Sequence, residues 1–304
     1  GRAIPSPVTK PHSRGDAVCV IDRVTMHGER ASARLEGASL SLHAGEIAAI
    51  AGVSGNGQAA LVELLCGLRA ADEGRVTLGG RAMPADPAAW IAAGTARIPE
   101  DRRDVGTIGD LPVWENAIAE HYRKPFASAG IVRRGAARSF ARRLVDRYDV
   151  RGGGIDTPAR ALSGGNMQKL ILGRALSGGA TRADDFLPTL IVASQPTWGL
   201  DAGAVAWVHQ QLLDACARGA ALLLIAGVIG LARRNVETPP SAWIVFNRDS
   251  NYDIYRMRFD GSAVTRLIDG ALPIWSPDGQ WIVFQSWRDG DPEIYRMQPD
   301  GSAV

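Results

Sequence analysis

The chain has 304 residues, 46% of them hydrophobic and 22% charged, with a net charge of +2. That length allows two domains of ordinary size, and the near-neutral balance by itself implies no polyanion-binding surface. Cys19, Cys66 and Cys216 are widely spaced with no CxxC pair, which fits reduced, buried or indifferent thiols rather than a disulfide framework.

Gly1-Arg2-Ala3-Ile4-Pro5 carries no initiator Met and no apolar signal core, so the sequence reads as a fragment rather than an exported precursor. Residues 1–16, rich in Pro, Ser, Arg and Gly, read as a linker. From Ala17 to about Ala226 short apolar runs alternate with helical stretches, the pattern of an α/β domain. Glu46 to Ala51 and Pro188 to Ser194 are short enough for buried parallel strands. Gly52-Val53-Ser54-Gly55-Asn56-Gly57-Gln58-Ala59 follows the first of them and opens a helix over Ala60 to Cys66. A Gly-rich strand-to-helix turn lets backbone N–H groups and a helix N-terminus face phosphate, although such turns are common.

Leu162-Ser163-Gly164-Gly165-Asn166-Met167-Gln168 opens a second helix, reaching about Ser177. Nothing in a structural helix demands a serine and two glycines before its first turn, whereas small residues there let phosphate oxygens approach the amides. Apolar residues at 205, 208, 212, 213 and 216 predict a helix over Gly203 to Arg218. The apolar run Gly219 to Ala232 is shorter than the roughly 20 residues a membrane-spanning helix needs. It reads instead as a buried strand running into something else.

After Ala226 the texture changes. Val236 to Ser241 reads as a linker, and an internal repeat follows. Trp243-Ile244-Val245-Phe246 returns as Trp281-Ile282-Val283-Phe284, and Ile254-Tyr255-Arg256-Met257 as Ile294-Tyr295-Arg296-Met297. The offsets are 38 and 40, so the second copy carries a hairpin two residues longer. Short strands between Asp-Gly turns predict antiparallel β structure.

Taken together, the Gly-rich turn, the Leu162-Ser163-Gly164-Gly165 helix start, Leu190 to Thr197 and Gly199-Leu200-Asp201 resemble the motifs of the ABC-type nucleotide-binding domain, in its order. The implied fold is an α/β P-loop domain over 17–226, truncated before a switch His that should follow Ala221 to Ile225. Gln58, Pro99-Glu100-Asp101-Arg102 and Gln195-Pro196-Thr197 narrow the likeness to the second half of the fused double ATPases of simple-sugar and nucleoside importers. His121 to Arg151 and Ala183-Asp184-Asp185-Phe186 are most similar to the nucleoside branch.

By that resemblance the chain's own ATP site is degenerate. Gln58 stands where the family has a Lys on the β and γ phosphates, a loss of about 1.5–3 kcal/mol, or roughly 10- to 150-fold in affinity. Ala59 and Ser194 stand where the family holds Mg²⁺, and Gln195 replaces the Glu that acts as general base. Met26 or His27 lies near the place of the adenine-stacking aromatic. The resemblance therefore implies no catalytic residues and no metal ligands in this chain. It implies weak nucleotide contact at Gly52, Ser54, Gly55, Asn56, Gly57, Gln58 and Ala59. It also implies contact by Leu162, Ser163, Gly164, Gly165, Asn166 and Gln168 with ATP held, with its Mg²⁺, by a partner half, while Glu100, Ser194, Gln195 and Asp201 fill other motif positions. The implied partners are the first ATPase half and membrane-spanning permease subunits at the cytoplasmic face of the inner membrane.

Arg102 and Arg103 read first as a solvated face and second as contact with the membrane subunit. Arg133, Arg134, Arg138, Arg142 and Arg143 read as an exposed basic helix without the interleaved aromatics of a nucleic-acid surface. His121 and His209 are isolated and need no ligand. Pro273 to Gly279, Trp281 to Ser286 and Arg288-Asp289-Gly290 resemble TolB-like β-propeller repeats, under two blades over 242–304, after a junction at 227–241. That segment is read as a truncated sheet with unpaired edges, or alternatively as an interaction surface; metal binding by Asp249, Asp253 or Asp289 is unmotivated. Three readings of the whole follow: an import-ATPase half, a propeller-type interaction protein carrying an ABC remnant, or a chimeric chain with no function as a unit.

Overall fold

The computed structural model describes residues 15–28, 34–51, 57–178, 186–226, 243–248, 253–258, 265–269, 271–275, 282–286 and 293–302. The sequence-based readings of Gly52 to Asn56, the 227–241 junction, the switch-His position and nearly all of the N-terminal linker lie outside these residues. Gly15 and Asp16 are already tied by backbone hydrogen bonds to Ala44, at 2.9 and 3.0 Å.

The chain forms two compact units, whose main boundary falls at Ile225–Ala226. The first begins with β1 (Ala17–Met26), β2 (Leu35–His43), β3 (Ile47–Ala51) and helix α1 (Gln58–Leu65). β4 (Glu73–Leu78), β5 (Arg81–Ala82), α2 (Pro87–Ala92), β6 (Thr95–Ile98) and α3 (Val113–Ile118) follow. A short hairpin of β7 (Ala127–Ser128) and β8 (Ile131–Val132) precedes α4 (Arg134–Arg147) and α5 (Gly164–Ser177). The unit ends with β9 (Leu190–Ser194), α6 (Ala202–Ala217) and β10 (Ala221–Ala226). One sheet has the order β2-β1-β4-β5 with antiparallel pairing, the other β3-β10-β9-β6 with β10 and β6 both parallel to β9.

Strand alternation explains how one central sheet serves two cores. Leu190, Val192, Ala221, Leu223 and Ile225 pack with α1 and the antiparallel sheet. Their neighbours Ile191, Ala193, Leu222 and Leu224 pack with α3, α4, α5 and α6. Continuous apolar runs at β9 and β10 are therefore what a sheet covered on both faces requires. β3 differs: it stands at the sheet edge, its described side chains are at most half-buried and Ala49 is exposed. The expectation of a buried strand holds there only in part: Ile47 packs against one core, and Ala48 and Ile50 against the other. Cys19, Cys66 and Cys216 are free and buried, and burial pushes their thiols up to about 12, 11 and 12, so they stay protonated and inert.

No helix among the described residues is long and apolar enough to cross a membrane. The start of the apolar run at Gly219 is accounted for by β10.

The second unit holds β11 (Trp243–Arg248), β12 (Asp253–Arg258), β13 (Thr265–Asp269), β14 (Ala271–Trp275), β15 (Ile282–Ser286) and β16 (Glu293–Met297). They form two antiparallel three-stranded sheets, β11-β12-β13 and β14-β15-β16. The sequence repeat has the same register in both. Ile244 pairs with Met257 and Phe246 with Tyr255, just as Ile282 pairs with Met297 and Phe284 with Tyr295. Residues 249–252 separate the first pair of strands and 287–292 the second, which is the two-residue difference in the offsets. Ile254, Ile282, Phe284 and Met297 share one small core.

Trp90 is the largest side chain in the first unit's smaller core, 1% exposed, with its Nε1 donating to the Pro84 carbonyl at 2.9 Å. Trp90→Ala is expected to lower unfolding stability by about 3–5 kcal/mol, measured by chemical denaturation of the full chain.

Candidate functional site

At α1, Gly57 occupies the position before the helix with φ of 81°. A Cβ there would lie 2.6 Å from the Arg34 carbonyl oxygen, so only glycine fits this turn. The helix starts at Gln58, two residues before the expected start, which puts Gln58 and the exposed Ala59 in its first turn. Ala59 has no side-chain oxygen. Ser194, half-buried at the end of β9, offers a neutral hydroxyl, and no metal-holding cluster of His, Cys, Asp or Glu occurs among the described residues. Ala59 thus brings no ligand to a divalent cation, and Ser194 brings only a neutral hydroxyl. Of the two residues near the adenine-stacking place, Met26 is fully buried and His27 is exposed.

Beyond β9, Gln195 turns the chain at φ of 42°, and its N–H donates to the Ile225 carbonyl at 2.7 Å. Its Nε2 donates to Glu100 Oε1 at 2.8 Å. Glu100 leads a loop closed on itself: the Asp101 carboxylate accepts from the N–H groups of Arg103 and Asp104, which holds its carboxyl below the usual range. Asn116, fully buried, braces the following segment through hydrogen bonds with both the N–H and carbonyl of Ile108.

Ser163 is the N-cap of α5. Its Oγ accepts from the Asn166 N–H at 3.4 Å and from Asn166 Nδ2 at 3.0 Å. This corrects the expectation that no structural helix needs this serine: an N-cap serine satisfies an otherwise orphaned N–H. The glycines remain unexplained by folding. A Cβ at Gly165 would meet nothing within 4 Å, and one at Gly164 only the Arg102 guanidinium at 3.4 Å. Ser163 and Gly164 are exposed, Gly165 and Asn166 half-buried. Leu162 and Gln168, grouped with them on sequence, instead face the core at 4% and 1% exposure and offer no surface to a partner. Helical periodicity turns position 168 inward beside Met167, which is also buried.

Asp201 caps α6, its Oδ1 accepting from the Ala204 N–H at 3.0 Å. Arg103 is exposed and Arg102 half-buried, but Arg102 is also tied to the main chain. Its guanidinium donates to the Gly164 carbonyl at 3.3 Å and to the Trp198 carbonyl. Sequence gave no signal for this, since both acceptors are main-chain atoms. Arg133, Arg134, Arg142 and Arg143 are exposed as expected, whereas Arg138 is half-buried and pairs with Asp156 through two hydrogen bonds. His121 packs edge-on to Phe186.

Residues 35–181 match the sequence model of the ABC transporter family. Among curated relatives, the guanosine import ATP-binding protein NupO of Bacillus subtilis is 41% identical over 214 residues, 70% of this chain and 40% of its own length. The nucleoside import ATP-binding protein NupA of Lactococcus lactis subsp. cremoris is 36% identical over 213 residues, 69% of this chain and 40% of its own. The glucose import ATP-binding protein TsgD13 of Haloferax volcanii is 38% identical over 216 residues, 70% of this chain and 38% of its own. The chain thus spans about two fifths of the length of these relatives. A nucleotide-free ATP-binding cassette from an ABC transporter superposes with a TM-score of 0.55 at 23% identity, covering 69% of this chain and 81% of that one. A dimeric ATP-binding cassette in a post-hydrolysis state with ADP and Pi gives 0.55 at 21%, covering 68% and 87%.

Gln195→Glu puts two carboxylates on one exposed contact. It is expected to cost about 1 kcal/mol, roughly 2–4 °C in melting temperature, at pH 8. The loss should shrink at pH 4, where carboxyls begin to protonate, and adding Glu100→Gln should restore the melting temperature. Thermal melts at the two pH values check this.

Proposed function

We propose that residues 35–181 are the core of an ABC-type nucleotide-binding domain and that it is the second, degenerate ATP-binding half of an importer for nucleosides or simple sugars. In this reading the domain covers 17–226. Its exposed turn at Ser163, Gly164, Gly165 and Asn166 completes an ATP site whose phosphate loop belongs to the first ATPase half. The observation that carries the reading is an asymmetry. The start of α5 presents glycines that its own folding does not require, while Gln58 and Ala59 at α1 and Ser194 and Gln195 at the end of β9 carry no charge.

Glycine costs about 1 kcal/mol relative to alanine inside a helix, so two in the first turn need a compensating use. Bare amides at a helix N-terminus, with the positive end of the helix dipole behind them, are suited to phosphate oxygens. Gln58 and Gly57 keep a backbone cradle that permits weak nucleotide contact, and Mg²⁺ enters only through the partner's site. Gln195, held by Glu100, cannot accept a proton from water as a glutamate would.

The importer reading draws on the relatives' roles and on the match over most of the first unit. It places the domain at the cytoplasmic face of the membrane, peripheral to permease subunits. For the second unit the reading is a partial TolB-like propeller over 242–304 after a 227–241 junction; the shared strand register of its two repeats supports this.

In an intact importer, Ser163→Ala is expected to lower transport by about 10²-fold, the scale of losing a donor aimed at developing charge. Gln58→Ala should leave transport near the wild-type rate. Solute uptake measured for both variants checks the ordering, and the reverse ordering contradicts the proposal.

A further inference from the structure

Arg102 stands outside every role assigned above. Its guanidinium is half-buried and spans two main-chain carbonyls that are far apart in sequence, Gly164 in the first turn of α5 and Trp198 in the loop between β9 and α6. Methyl groups at Gly164 or Gly199 would each approach within 3.4 Å of its terminal nitrogens, so both chains come close to the fork.

The arginine is itself held. Its carbonyl accepts from Thr107 Oγ1 at 2.9 Å, and Gly106 N–H donates to the Asp101 carbonyl at 2.8 Å across the same turn. Two residues upstream, Glu100 accepts from Gln195 at 2.8 Å. One short segment thus grips the chain leaving β9 at Gln195 and at Trp198, and grips α5 at Gly164. A planar guanidinium with donors in a fixed fork suits such bridging between two acceptors.

We propose that Arg102 is a positioning residue that fixes the Ser163–Asn166 turn to the 195–201 loop, so that both move as one piece. Its functional meaning rests on the reading that the Ser163 turn faces a partner's nucleotide: phosphate contact of that turn would then also place the loop at Asp201. The link runs to the carbonyl of residue 198 and not to its side chain, whose indole is 67% exposed.

Hydrogen–deuterium exchange on the full chain tests it without nucleotide or partner. The Asn166 and Met167 amides are hydrogen-bonded within the turn, as are Trp198 and Leu200 within the loop. In Arg102→Ala, exchange at both segments is expected to rise together by about tenfold, the scale of a lost charge-assisted hydrogen bond. The rest of the exchange map and the melting temperature should stay unchanged, which a general loss of stability would not allow. Trp198→Ala keeps the carbonyl and should change neither segment. Arg102→Lys, a single donor centre, should restore protection at one segment at most.

A rise at only one segment or at none, a rise across the whole domain, full rescue by lysine, or the same pattern in Trp198→Ala would overturn the proposal. Any of these leaves the proposed function standing. Conversely, loss of that reading in transport assays leaves the clamp intact.

Discussion

β9 and β10 lie side by side, parallel and covered on both faces, and the rest of the first unit is arranged around that fact. Leu190, Ile191, Val192 and Ala193 have no exposure at all. Such a pair can face two cores only if both alternating sets of residues on each strand are apolar, and only if connections return over the sheet as helices. Parallel strands also bring their C-terminal ends to one side, where loops gather. Ser194, Gln195 and Ile225 meet there, joined by the 2.7 Å hydrogen bond from Gln195 N–H to the Ile225 carbonyl.

Around that edge, chemistry and folding use the same atoms. Ser163 is an N-cap and a phosphate-facing candidate, and Asp201 caps α6 within its own motif. Glu100 and Gln195 join the segment after β6 to the chain leaving β9 through one hydrogen bond. An amide can donate to a carboxylate where two carboxylates would repel, so the amide at Gln195 lets this contact form.

Much of this was legible in sequence because it rests on periodicity and on small residues at fixed places. The alternating apolar runs gave β9, β10 and α6 to within a residue or two, and α5 ends at Ser177 as its pattern implies. The repeat after residue 243 gave the shared register, since a period-two pattern fixes which residues pair. What failed to show has physical causes. Arg102 binds main-chain carbonyls, which any sequence supplies, so no partner residue marks the contact. An apolar run such as β3 does not reveal whether it stands at an edge or in the middle of a sheet. Leu162 and Gln168 fall inside a motif, yet helical geometry turns them into the core.

In the proposed function this chain supplies a surface to another nucleotide site and turns over nothing in its own. Steady-state ATP hydrolysis by the purified full chain, with no partner present, tests it most directly. The predicted rate equals that of a no-protein blank. A rate well above the blank, retained in Ser163→Ala, would contradict it.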